Sequence, residues 1–131
     1  MKKKFVFAII STIIILSCKE NNSELIPVEG TYSGVFNVHY DDQTNSGETR
    51  LSLQSGKFEC DGNPDRIPAG GSGTYKVEAN TIIFRDENVW TADFDWGLIL
   101  SGEYTYSFDG SNLILIKTNG WGKYEYLLKL E

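Results

Sequence analysis

From Gly30 to the end of the chain, apolar side chains fall on every second residue, and no stretch carries the 3.6-residue stripe of an amphipathic helix. Tyr32, Phe36, Val38 and Tyr40 share one face of a first strand, with Ser33, Asn37 and His39 on the other. Leu51 and Leu53 alternate with Arg50, Ser52 and Gln54, and Phe58 and Cys60 with Lys57, Glu59 and Asp61. Tyr75, Val77 and Ala79 alternate with Thr74, Lys76 and Glu78, and Thr81 to Arg85 forms a further strand. Leu100, Tyr104, Tyr106 and Phe108 line a later strand, followed by Leu113 to Lys117 and by Tyr124, Tyr126, Leu128 and Leu130. Ser55-Gly56, Asp109-Gly110 and Asn119-Gly120 supply turn chemistry between these runs. The pattern predicts an all-β domain of about eight short antiparallel strands in an up-and-down barrel, closed or partly open. Closure is favoured because it removes the unpaired edges that template aggregation.

Two segments depart from the rhythm. Residues 61 to 73 hold Asp61-Gly62-Asn63-Pro64 and Gly70-Gly71-Ser72-Gly73, which predicts a long, flexible loop. Residues 86 to 99 mix Val89, Trp90, Phe94 and Trp96 with Asp86, Glu87, Asp93 and Asp95, and are compatible with a loop, a helical turn or an irregular strand. The 131 residues, 40% of them hydrophobic, suit one folded domain and exclude intrinsic disorder.

Lys2, Lys3 and Lys4 precede an apolar run through Leu16, which is the layout of a signal peptide over residues 1–17 and too short to span a bilayer. The run ends in Ile15-Leu16-Ser17-Cys18, which resembles the lipobox of bacterial lipoproteins. The resemblance implies cleavage before Cys18, acylation of its thiol and of the new amino terminus (palmitate-type chains), and lipid anchoring to the outer membrane on its periplasmic or surface side. Residues 18–29, polar and acidic, read as the lipidated tether, and residues 30–131 as the domain. Loss of residues 1–17 leaves nine basic side chains against eighteen acidic ones, a net charge of -9. Such a surface repels nucleic acid and anionic headgroups, so membrane contact falls to the anchor on Cys18. Cys60 is then a lone thiol without an intramolecular partner and reads as a buried, inert side chain.

Gly30-Thr31-Tyr32 at the start of the first strand, with the meander from Gly30 to Leu130 behind a lipobox, resembles the lipocalin-like, or calycin, barrels of bacterial lipoproteins. Tyr32 stands where the lipocalin Gly-x-Trp opening has tryptophan. The resemblance implies a barrel whose lumen can hold one small ligand.

The aromatic residues are the main candidates for chemistry. In one reading Trp90, Phe94 and Trp96 line or cover the mouth of a cavity, with Tyr32, Phe36, Tyr75, Phe84, Tyr104, Tyr106, Tyr124 and Tyr126 inside, binding a small hydrophobic or amphiphilic molecule without catalysis. In the other, the same rings fill the barrel, and exposed loops serve an envelope-structural or protein-interaction role, including inhibition of a partner. Asp61, Asn63 and Asp65 have the spacing that opens a calcium loop, but Arg66 and Ser72 occupy the positions that need Gly and Glu. Asp93 with Asp95, and Asp41 with Asp42, are pairs of carboxylates that an acidic chain also places together by chance. His39 is the single histidine, and Gly70-Gly71-Ser72-Gly73 lacks the Lys-Ser/Thr of a phosphate loop, so no catalytic residue, metal or cofactor is expected.

Overall fold

The computed structural model describes residues 25–131; the signal segment, Cys18 and the first part of the tether lie outside the described residues. Eight strands follow in chain order: β1 (Gly30–His39), β2 (Thr44–Gln54), β3 (Lys57–Cys60), β4 (Gly71–Glu78), β5 (Thr81–Asp86), β6 (Gly102–Phe108), β7 (Asn112–Thr118) and β8 (Lys123–Leu130). Each pairs antiparallel with the next, and β8 returns to β1 from Tyr32↔Leu130 to His39↔Lys123. The barrel is therefore fully closed, and the partly open alternative does not apply. Ser55 and Gly56 both have positive φ, 51° and 75°, the two-residue turn whose twist matches that of the flanking strands.

Element boundaries differ from the alternation pattern in four places. β2 starts at Thr44, because Thr44 to Thr49 carry no large apolar side chain to mark them, yet their backbone pairs with β1 from Thr44↔His39 to Thr49↔Gly34. Gly71, Ser72 and Gly73 belong to β4 instead of the preceding loop. A Cβ at Gly73 would lie 2.0 Å from the Arg85 carbonyl oxygen, so the glycine serves close strand approach. Ala79 sits in the β4–β5 turn at φ 48°, and Leu100, although buried, precedes β6, separated by Ser101 from the strand's first residue, Gly102, at φ 96°.

Alternation puts one face of every strand inside. Tyr32, Phe36, Phe84, Tyr104, Tyr124 and Tyr126 are almost wholly buried, together with Val38, Leu51, Leu53, Ile82, Leu113 and Leu115. Phe36 lies 4.7 Å from Tyr126 between ring centroids, Phe58 lies 5.0 Å from Phe84, and Tyr104 lies 5.8 Å from Phe84 and 5.9 Å from Tyr126. At these separations the rings are in edge-to-face or tilted contact, so the barrel axis is occupied by side chains.

The hydroxyls of Tyr104 and Tyr126 are buried in this stack, where they face each other but fall outside good hydrogen-bond geometry. A buried hydroxyl left unpaired is destabilising by about 1–3 kcal/mol. Tyr126→Phe should therefore raise the urea midpoint, by about 1 kcal/mol in stability; a fall of that size would show that the two facing hydroxyls are bonded to each other.

The two ends of the barrel are unlike. One carries the tight turns at 55–56, 79–80 and 109–111 and receives the incoming chain. There Pro27 is buried, the Tyr32 hydroxyl donates to the Val28 carbonyl at 2.6 Å, and the Ser55 amide donates to Glu29 at 2.6 Å. The other end gathers all four remaining connections, residues 40–43, 61–70, 87–101 and 119–122.

Candidate functional site

The long β5–β6 connection carries three of the expected aromatic residues. Trp90 donates its indole N–H to Asp86 and stands edge-on to Phe94 at 6.0 Å. Asp95 caps a single 3-10 turn, Trp96–Leu98, by accepting the Gly97 amide at 2.8 Å, and Leu98, Ile99 and Leu100 then bury themselves over the barrel end. Gly97 is required here: a Cβ at that position would fall 2.3 Å from Cζ of Tyr124. Its absence lets the turn lie against the Tyr124 ring.

Asp95 joins three parts of the chain. Its Oδ2 accepts the Tyr40 hydroxyl at 2.7 Å, from the end of β1, and the Tyr124 hydroxyl at 2.6 Å, from β8. Burial opposes ionisation of this carboxyl, but the Tyr124 and Tyr40 hydroxyls, the Gly97 amide and the nearby Lys117 outweigh it and hold its pKa below the ordinary aspartate value. The same carboxylate, added to burial, pushes the Tyr124 hydroxyl up to about 12 and Tyr40 higher still. Lys117 projects inward from β7, donates to the Ser101 carbonyl at 3.0 Å, and lies 4.9 Å over the Tyr104 ring and 5.4 Å over the Tyr124 ring. Burial lowers its pKa, and Asp95 works in the opposite direction.

Above this network a cleft of about 620 Å³ opens to solvent, lined by Tyr40, Phe94, Asp95, Trp96, Gly97, Asn119 and Trp121. Trp96 is 58% exposed and Trp121 79% exposed, which for rings of this size leaves most of an apolar face in water. Trp96 is held through its ring and Trp121 through its backbone. The Trp96 indole N–H donates to the Thr91 carbonyl at 3.0 Å, and Asn119 Oδ1 accepts the amides of Trp121 and Gly122, fixing the β7–β8 turn.

The structure sorts the expected ligand-binding residues into three groups. Phe94 and Trp96 line the cleft, with Trp90 behind Phe94 and Tyr124 beneath Asp95. Tyr32, Phe36, Phe84, Tyr104 and Tyr126 form the packed interior, and each is buried to 2% exposure or less. Tyr75 and Tyr106 lie toward the tight-turn end, where Tyr106 donates to the Ala79 carbonyl at 3.0 Å. Tyr40, Asn119 and Trp121 belong to the cleft although the alternation pattern does not single them out. A signal for Trp121 existed in its position between Gly120 and Gly122 at a hairpin tip, where no core is within reach.

The remaining candidates are engaged elsewhere. Asp93 is held by the Thr91 hydroxyl and by Arg66, 3.6 Å away, and so does not converge with Asp95 on a common atom. Asn63 Oδ1 accepts the Asp65 and Ile67 amides, so it organises its loop. His39 lies between Glu125 and Thr44 on the barrel surface. Cys60 is buried, 3.3 Å from the Thr49 hydroxyl, and burial raises its thiol to about 12, far from thiolate chemistry at neutral pH.

Comparison with protein families, with curated proteins and with solved structures finds no match to this chain. The cleft therefore has to be interpreted from its own chemistry.

Proposed function

We propose that this chain is a lipid-anchored envelope protein whose barrel acts without catalysis as a scaffold, binding a small amphiphilic molecule in the cleft at its loop end. The observation that carries the reading is the exposure of Trp96 and Trp121 in the lining of one concavity that Tyr40 and Phe94 also line. Exposed tryptophan faces rimming a cleft are what an apolar ligand covers, and the release of that surface from water supplies the binding free energy. The filled interior supports a site on the outside of the barrel in place of one in the lumen. Anchoring rests on the sequence Ile15-Leu16-Ser17-Cys18 and fits the geometry, because the chain enters at the tight-turn end and the cleft opens at the other. A tether starting at Cys18 presents the cleft away from the bilayer that holds the lipid.

The test is a titration of the mature domain with decyl maltoside below its micelle-forming concentration, followed by calorimetry. Saturable binding that Trp96→Ala combined with Trp121→Ala weakens at least tenfold, with unchanged far-UV circular dichroism, is the expected outcome. Binding that the double substitution leaves intact would move the site elsewhere. For the anchor, Cys18→Ser should shift the protein from the membrane fraction to the soluble fraction, and retention in the membrane would reject lipidation as the tether.

A further inference from the structure

We infer that the head group of the molecule taken by this cleft is an organic ammonium cation carrying alkyl substituents, an inference that rests on the cleft being a ligand site as proposed above. Two independent features point to a cation. The first is what the lining leaves available. Asp95 already accepts two hydroxyls and an amide, Asn119 Oδ1 accepts two amides, and the Trp96 N–H is bound to a carbonyl. Few hydrogen-bond acceptors remain for the hydroxyls of a sugar or other neutral polar ligand. Ring faces and the charge of an ionised carboxylate remain, and both attract cations: the faces through their quadrupole and the carboxylate through its field.

The second feature is the charge around the cleft. The four connections that form this end of the barrel carry Asp41, Asp42, Asp61, Asp65, Glu87, Asp93 and Asp95 against a single base, Arg66. Arg66 is tied to Asp93 and lies 4.8 Å over the Phe94 ring, which leaves the Trp96, Trp121 and Tyr40 rings for a ligand. Of the strand cations at this end, Lys117 sits on the inner side, over the Tyr104 and Tyr124 rings, and Lys123, which follows the Trp121 turn, is paired with Glu125 at 3.8 Å. An anionic head group would be repelled by this field. An alkylated ammonium fits better than a bare one, since it sheds water easily and needs no hydrogen-bond acceptors that the lining has already committed.

The experiment compares three amphiphiles with the same decyl chain and different heads: decyltrimethylammonium, decyl maltoside and decanoate, each below its micelle-forming concentration. The cationic compound should bind at least tenfold more tightly than the neutral one, with decanoate weakest, and the gap should narrow as salt rises from about 0.01 M to about 0.3 M. Trp121→Leu keeps apolar contact at an exposed turn but removes a ring face. It should cut the cationic preference about threefold, the share of one ring face, while leaving decyl maltoside binding within about threefold. Equal or tighter binding of decyl maltoside or decanoate to the wild-type domain overturns the cationic head and leaves amphiphile binding standing. Failure of all three to bind removes both.

Discussion

Asp95→Ala is expected to lower stability by about 2–3 kcal/mol, or roughly 10 °C in Tm, and to abolish the cleft with it. The carboxylate is the common acceptor for Tyr40 from β1, Tyr124 from β8 and Gly97 from the β5–β6 connection. Its removal strands the Tyr124 hydroxyl, whose ring is wholly buried, and releases the turn that places Trp96. Charge-assisted hydrogen bonds contribute about 1.5–3 kcal/mol each when dry, and the opening of the cleft to solvent discounts the total. Asp95→Asn should be milder, since the amide oxygen still accepts and one tyrosine hydroxyl can turn to accept from its nitrogen. The pH dependence has a definite sign. The native pKa of Asp95 is depressed, so its contribution is complete above its unfolded value near pH 4 and is lost as pH falls through the lower native pKa. In urea titrations the stability gap between wild type and Asp95→Asn should therefore be constant from about pH 5 to 7 and close below about pH 4. A gap that persists at lower pH would show that the ionised carboxylate is not the stabilising form.

Gly34→Val is expected to be at least as damaging, at about 3 kcal/mol or more, because it strikes the seam that closes the barrel. Gly34 on β1 faces Leu128 on β8, and a Cβ built there would lie 2.0 Å from the Leu127 carbonyl oxygen. That atom is backbone inside a paired ladder, so no rotamer change relieves the clash; β1 and β8 must separate. Gly56, with nothing within 4 Å of its added Cβ but with φ 75°, is the matched comparison, since Gly56→Ala strains one turn and leaves the seam intact. A small effect for Gly34→Val and a large one for Gly56→Ala in denaturant unfolding would show that the seam carries little of the stability.

The strand pattern was legible because a sheet with one dry and one wet face forces the side chains to alternate, and β1, β3, β6 and β8 carry that alternation openly. The first half of β2 was hidden, since its residues are polar or small and its pairing is a backbone property. Gly71 and Gly73 imitate loop composition, whereas what they satisfy is close approach to neighbouring backbone. Phe94 and Trp96 were recognisable as site candidates because large rings in an irregular acidic segment have no strand face to bury them. Tyr40 was not, because it continues the apolar face of β1 by one residue, and its departure toward Asp95 depends on a residue 55 positions away.

Sequence alone determined the all-β meander, the acidic surface, and the presence of more aromatic rings than a strand pattern needs to explain, because periodicity and charge are local quantities carried by each segment. Tertiary structure alone decided that the barrel closes, that the tyrosines and phenylalanines on its inner faces occupy the axis, and that Trp96 and Trp121, 25 positions apart in the chain, open onto one cleft over Asp95. Those outcomes depend on which loops meet at the same end of the barrel, and that follows from register and closure, to which every strand contributes at once.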